Sequence, residues 1–180
     1  FLAGAALAAM AARWKPIEAL LRPLMLTVKA IPVASFIILA LVWLSSKRVS
    51  LLIVFLMVLP IVYSNLLEGL KGKSVQLAEM ARMYHVTPLR RMLYIWLPQL
   101  RPALLSALSL SLGLSWKSGI AAEIIGIPRG SKGYALYQAK LYLDTPALYA
   151  WTLAVVLLSV AFERLILLAV KRAYARLERL

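Results

Sequence analysis

The sequence predicts an all-α, polytopic membrane helical bundle, and three observations carry that reading. Of the 180 residues, 63% are hydrophobic and 16% charged, against about 45–50% and about 25% in a typical globular chain. A soluble fold of this size has no interior large enough for the apolar excess. Stretches free of Asp, Glu, Lys and Arg run over 30–46, 49–67, 102–116 and 145–162, with a shorter one at 1–12. Most are near the roughly 20 residues that a helix needs to cross about 30 Å of hydrocarbon, whereas a closed barrel would alternate polarity over short segments. The 21 Lys and Arg against 7 Asp and Glu, a formal charge of +14, are also unevenly shared between the two ends of these stretches.

Taken as about five spans, the stretches place Arg13, Lys15, Arg22, Lys29, Lys71, Lys73, Arg82, Arg90, Arg91, Arg101, Arg164, Lys171, Arg172, Arg176 and Arg179 on one side. Lys47, Arg48, Lys117, Arg129, Lys132 and Lys140 fall on the other. Basic residues near helix ends are retained in the cytoplasm, so segment 68–101 and the C-terminus are expected inside, and the turn at 47–49 and segment 126–144 outside. The same distribution argues against a nucleic-acid partner, because insertion and contact with anionic lipid already account for the cations.

Zero cysteine excludes disulfides, thiolate metal sites and thiol nucleophiles. A single histidine, His85, excludes a multi-histidine site, so no metal, cofactor or catalytic residue is expected. The chain opens on Phe1, and residues 1–12 read as the end of an apolar helix without the basic n-region of a signal peptide. A further span is expected ahead of them.

Residues 13–30, with two prolines and a basic-amphipathic pattern, read as a connection lying along the interface, Trp14 at headgroup level. The span from Ile31 to about Leu44 is joined to the next by Ser45-Ser46-Lys47-Arg48, short enough to require an antiparallel hairpin. Pro60 falls inside that next span and removes one backbone hydrogen bond, either as a packing kink or as part of a gate. Segment 68–101 is the least membrane-like part. Leu77, Met80, Ala81 and Tyr84 recur at helical spacing from about Ser74, and Thr87 as N-cap with Pro88 at the first position starts a second short helix. The two helices, flanked by Pro98 and Pro102, form a helix-turn-helix knob suited to docking.

Beyond the knob, Ser109 with Gly113, Ser111 with Ser115 and Ser115 with Gly119 are small-xxx-small pairs that permit close helix packing, or else line a substrate path. The span extends past Lys117 to about Ile125 only if Lys117 and Glu123 face protein or water. Glu123 therefore reads either as an intramembrane functional group or as a cap for an outer loop, and an ion pair with Lys117 is open to it. Residues 126–133 are turn chemistry. Tyr134, Tyr137, Leu141 and Tyr142 give an interfacial aromatic face, and Asp144 or Thr145 with Pro146 begins the last span.

The knob contains Glu79-Met80-Ala81, three residues, His85, nine residues, then Ile95-Trp96-Leu97-Pro98. This resembles the EAA loop of bacterial ABC importer permeases, E-A-A, three residues, G, nine residues, I, one residue, L-P, with every spacing kept. Met80 replaces the first alanine and His85 the glycine of the turn, where φ > 0 is favoured and histidine is among the few other residues enriched. The resemblance continues through Lys29-Ala30-Ile31-Pro32, Pro60 to Asn65, Gly69, and Ala122 to Gly126 with Gly130 and Gly133. It is nearest the nitrate, sulfonate, taurine and thiamine-precursor branch.

The resemblance implies one transmembrane permease domain over 1–180, with a coupling loop at about 68–101, in the bacterial cytoplasmic (inner) membrane. It implies three kinds of partner: cytoplasmic ABC ATPase subunits, a second permease copy and an extracytoplasmic solute-binding protein, all beside membrane lipid. The chain itself is not expected to be an enzyme, since it has no G-x-x-x-x-G-K-[ST] sequence and ATP hydrolysis must lie on another chain. Glu79 is then the charged handle and Met80, Ala81 and Tyr84 the inserted face, with His85, Pro88, Leu97 and Pro98 shaping the loop. Ser109, Gly113, Lys117 and Glu123 are candidates for the translocation path of a small polar or anionic solute. A secondary transporter or channel without an ATPase is the rival; it has no use for a docking helix and would place ionisable groups at midplane.

Overall fold

The computed structural model describes residues 1–72 and 74–177 as helices joined by short turns, with no strand among the described residues. In chain order these are α1 (Leu2–Arg13), α2 (Lys15–Ala30), α3 (Val33–Leu41), α4 (Ser46–Lys71), α5 (Val75–Met83), α6 (Pro88–Arg91), a π-helical turn (Met92–Trp96), α7 (Leu97–Gly126), α8 (Lys132–Leu141) and α9 (Thr145–Leu177). Lys73 and Arg179, both counted for orientation, lie outside the described residues, as do the side chains of Arg82 and Arg176.

Within α4 and α9, Ser46–Lys71 and Thr145–Ala175 are each long and apolar enough to cross a bilayer. The 30 residues of α7 reach about 45 Å at 1.5 Å per residue. Pro60 is buried inside α4 without ending it. The Ser64 hydroxyl donates to the Pro60 carbonyl at 2.7 Å, and the Asn65 amide donates to the Ile61 carbonyl at 2.9 Å, so side chains support the backbone beside the proline.

Two apolar clusters hold the bundle. In one, Ala8 and Ala11 of α1 and Leu21 and Met25 of α2 meet Val58, Val62, Tyr63, Leu66 and Leu67 of α4 and Ala107 of α7. In the other, Ile37 and Ala40 of α3 meet Val49 and Ile53 of α4 and Ala122 of α7. Helix α4 is thus the central post, flanked by α1 and α2 at the end nearest loop 68–101 and by α3 at the opposite end. Gly4 lets α1 approach closely, since a Cβ there would stand 2.9 Å from Val62 Cβ. The apolar window of α9 is unburied, leaving that helix to lipid or to another chain.

The structure adds a partner to the reading of residues 13–30: helix α2 packs beside the last third of α4. Glu18 near its start pairs with Lys71, and Lys29 near its end donates to Ser64 Oγ at 3.1 Å. Leu21 and Met25, four apart on one face, bury against α4. Ile31, extended ahead of Pro32, breaks the helix. The nine residues of α3 then leave at 91° to α2, the two together forming a single bent apolar pair.

Candidate functional site

Loop 68–101 is built from its two ends inward. Ser74 precedes α5 and accepts the Leu77 N–H on its hydroxyl at 3.3 Å, while its own N–H donates to Gln99 Oε1 of α7 at 3.0 Å. The start of α5 is therefore capped and pinned to the helix that leaves the loop. At the other end of α5, His85 adopts φ 49 and Val86 N–H donates to the Ala81 carbonyl at 2.9 Å. A left-handed residue followed by that backbone bond is the Schellman arrangement that closes a helix. The histidine at the glycine position thus keeps the left-handed turn.

Thr87 and Pro88 start the next helix where the sequence places it, with the Arg91 N–H donating to the Thr87 carbonyl at 2.9 Å. This helix is not a separate short element. It continues through the π turn into α7, whose second residue is Pro98 and which also contains Pro102. The wider π spacing, with Leu97 N–H bonded to the Met92 carbonyl, precedes the two residues that lack a backbone donor. The Arg91 guanidinium stands over the Trp96 ring, 5.0 Å from its centroid, and braces the turn. The knob is therefore α5 folded back on a rod running unbroken from Pro88 to Gly126.

The outer face of α5 is apolar around one acid. Glu79 is exposed, as are Met80, Met83 and Tyr84, with Met83 and Tyr84 leaving 77% and 75% of their surface free. His85 and Pro88 are exposed at the tip, and Leu97 and Pro98 are partly covered. Ala81 departs from the expected inserted face: it is 1% exposed, covered by its own chain. Met83 takes that place, and its spacing of three from Met80 is the signal that points to it.

Changing His85 to Gly is expected to stabilise the chain by about 0.5–1 kcal/mol, because glycine adopts the left-handed turn without a Cβ penalty. A rise in the thermal midpoint of the detergent-solubilised protein checks this, and a fall would assign His85 a contact of its own.

The four path candidates do not form one site. Ser109 donates its hydroxyl to the Glu163 carboxylate of α9, an acid that composition alone left at the margin of the last apolar stretch. A Cβ at Gly113 would meet nothing within 4 Å, so that residue provides no close packing in this chain; Gly119 does, with Val54 Cγ2 3.3 Å from the same position. Lys117 is exposed and Glu123 partly buried, and no pair forms between them among the described residues. Six residues apart, they are separated by about 120° around the helix at 3.6 residues per turn. Ser111, Ser115 and Ser118 donate to carbonyls of their own helix at 3.0, 2.6 and 2.8 Å, satisfied without a partner helix.

Glu123 instead accepts the Gly133 N–H on Oε2 at 2.9 Å. The carboxylate thus meets the positive end of α8, whose N-cap Ser131 accepts the Tyr134 N–H at 3.0 Å. A Cβ on Gly133 would overlap Glu123, so glycine is required for this approach. The same carboxylate borders a cavity of about 400 Å³ with Ser115, Trp116 and Lys132. Glu123→Ala is expected to cost about 1–2 kcal/mol, the price of a lost cap, while Glu123→Gln keeps an acceptor and most of the stability. Thermal unfolding of both variants checks the assignment; equal losses in the two would show that the charge matters more than the hydrogen bond.

A family model described as "Binding-protein-dependent transport system inner membrane component" matches residues 2–175. SsuC of Bacillus subtilis, a permease protein assigned to aliphatic sulfonates transport, is 29% identical over 155 residues, 83% of this chain and 56% of the relative. A Haemophilus influenzae protein named as an ABC transporter permease is 27% identical over 164 residues, 88% of this chain and 65% of the relative. TauC of Escherichia coli, named as a taurine transport system permease protein, is 24% identical over 148 residues, 82% and 54% of the two chains. The chain spans between half and two thirds of the length of these relatives.

Proposed function

This chain belongs to the family of binding-protein-dependent transport system inner membrane components, and from that premise we infer that it is the permease subunit of an ATP-driven importer. The observation that carries the reading is the outer face of α5, where exposed Glu79, Met80, Met83 and Tyr84 surround one acid with apolar side chains. Such a face fits a concave, apolar recess with a cation at its rim on a separate cytoplasmic ATPase. His85 and Pro88 shape the tip of the loop, and Leu97 and Pro98 begin the rod that leads away from it. Movement of α5 reaches α7 through the turn at His85, beyond which α6, the π turn and α7 are continuous.

The partners in this reading are the ATPase, a second permease copy and an extracytoplasmic binding protein. Lys117 and Gly113, on the open surface of α7, are the candidates for the path between two copies, with Ser109 and Glu123 serving mainly as braces to α9 and α8. The solute class is a small polar or anionic compound such as a sulfonate, nitrate or thiamine precursor, the sulfonate and taurine names of the relatives favouring the first. The membrane is the bacterial inner membrane, with loop 68–101 and the C-terminus inside, as the positive-residue bias favours.

The test is purification of the tagged full-length protein from its own host in mild detergent, with mass spectrometry of what accompanies it. The reading expects a stoichiometric ATPase carrying a phosphate-binding loop. Recovery of the permease alone, from membranes that take up solute without ATP, would instead assign a secondary carrier.

A further inference from the structure

The recess between α2 and α4, at the end of the bundle that carries loop 68–101, has a volume of about 300 Å³. Tyr63 lines it, only 4% exposed, and its hydroxyl is buried without a hydrogen-bond partner. A buried hydroxyl in that state has lost its water and gained nothing in return, and such groups in folded proteins call for a ligand or another explanation. Arg22 and Lys29 are among the cations that line the same recess. Lys29 uses one N–H on Ser64 Oγ, at 3.1 Å, which leaves further donors on an ammonium that has three.

The local charge is positive. Of the other ionisable groups lining the recess, Lys71 and Glu18 neutralise each other in an ion pair, and Glu68 is exposed. Arg22 and Lys29 therefore outweigh the single remaining carboxylate. Leu26, 60% exposed, lines the recess together with Met25 and Leu67, so apolar surface borders a cationic, donor-rich site.

We propose that the α2/α4 recess binds a tetrahedral oxoanion group, a phosphate or a sulfonate, received by the Tyr63 hydroxyl, the Arg22 guanidinium and the Lys29 ammonium. The group's oxygens only accept hydrogen bonds, matching a site in which these three side chains donate, and guanidinium can engage two of them at once. Two sources carry this chemistry. One is the phosphate of an anionic phospholipid, with its acyl chains leaving past Leu26; the other is a small organic sulfonate. The phosphate source does not rest on the transport reading, whereas the sulfonate source does.

The experiment uses the full-length protein with its native subunits in nanodiscs of equimolar phosphatidylglycerol and phosphatidylcholine, with retained lipid counted by native mass spectrometry. A parallel arm titrates ethanesulfonate into nanodiscs of phosphatidylcholine alone and follows the heat of binding. Wild type is expected to retain phosphatidylglycerol, or to bind ethanesulfonate, about tenfold better than Tyr63→Phe, the size of effect that follows from losing one hydrogen bond to a charged group. Arg22→Gln, at an exposed position, provides a second variant in which folding is not at stake. Selective lipid retention identifies the headgroup as the source, and Tyr63-dependent heat identifies the sulfonate. Retention and heat that neither Tyr63→Phe nor Arg22→Gln changes would overturn the proposal. Neither readout requires ATP hydrolysis or uptake, so loss of the importer reading leaves the result interpretable.

Discussion

Replacing Glu79 with lysine is expected to lower ATP-driven uptake by about a hundredfold while the amount of chain in the membrane stays at the wild-type level. Glu79 is exposed on α5 and has no ion-pair partner among the described residues, so the reversal removes nothing that holds the fold. What it changes is the face between Met80, Met83 and Tyr84, where a carboxylate gives way to an ammonium. Meeting a cation on the ATPase, the new charge turns an attraction into a repulsion within a contact that is otherwise apolar and poorly hydrated. Truncating or reversing such an anchor costs ~2–4 kcal/mol. Uptake into proteoliposomes, solute-stimulated ATP hydrolysis and the yield of co-purified ATPase measure the effect together. Normal stimulated hydrolysis in the Glu79→Lys protein would remove Glu79 from the docking contact. Glu79→Gln, which keeps the shape and drops the charge, is expected to fall between the two.

Local signals in the sequence reached most of loop 68–101. The positions of Thr87 and Pro88 placed the helix start, and the spacing from Glu79 to Leu97-Pro98 placed the turn at His85, because caps and left-handed turns depend on a few neighbouring residues. The burial of Ala81 was not legible: helical spacing says which residues share a face but not which part of that face another helix covers. Continuity from Pro88 to Gly126 was hidden for the opposite reason. Pro98 and Pro102 argue locally for a break, and a π turn shifts the backbone register ahead of them so that the helix goes on.

Long-range partners account for the remaining differences. Residues 13–30 carry the amphipathic pattern of an interfacial helix, and the packing of Leu21 and Met25 beside Tyr63 and Leu67 is a contact that pattern does not specify. Ser109 reads as a small packing residue until Glu163, 54 positions later, is found at its hydroxyl. For Glu123 the sequence left two roles, and the Gly133 N–H supports the cap. Three helices end on left-handed residues other than glycine, His85, Ile127 and Leu143. Only His85 had a signal, since an isoleucine ahead of Pro128 is biased toward extended backbone.

Gly69→Ala is expected to destabilise the bundle by about 1–3 kcal/mol, the cost of inserting a methyl where none fits. A Cβ at Gly69 would overlap Ala103 Cβ and stand 3.1 Å from Leu100 Cδ1, so α4 and α7 touch there almost backbone to backbone. Gly69 lies two residues from the end of α4 and Ala103 in the second turn of α7, which makes their contact the bracket at the root of loop 68–101. Exchanging the two residues, Gly69→Ala with Ala103→Gly, moves one methyl across the interface and conserves volume. The double variant is therefore expected to recover most of the loss, although Ala103→Gly alone costs about 1 kcal/mol through helix propensity. At roughly 2–4 °C per kcal/mol for a chain of this size, the single variant should melt several degrees below wild type and the exchange close to it. A double variant no better than the sum of its singles would show that the residues do not share a contact. If recovery of stability also restores ATP-driven uptake, the separation of α4 and α7 at this bracket governs function through the fold. If stability returns and uptake does not, the path from α5 into α7 depends on the exact spacing of the two helices, and the bracket belongs to the coupling element itself.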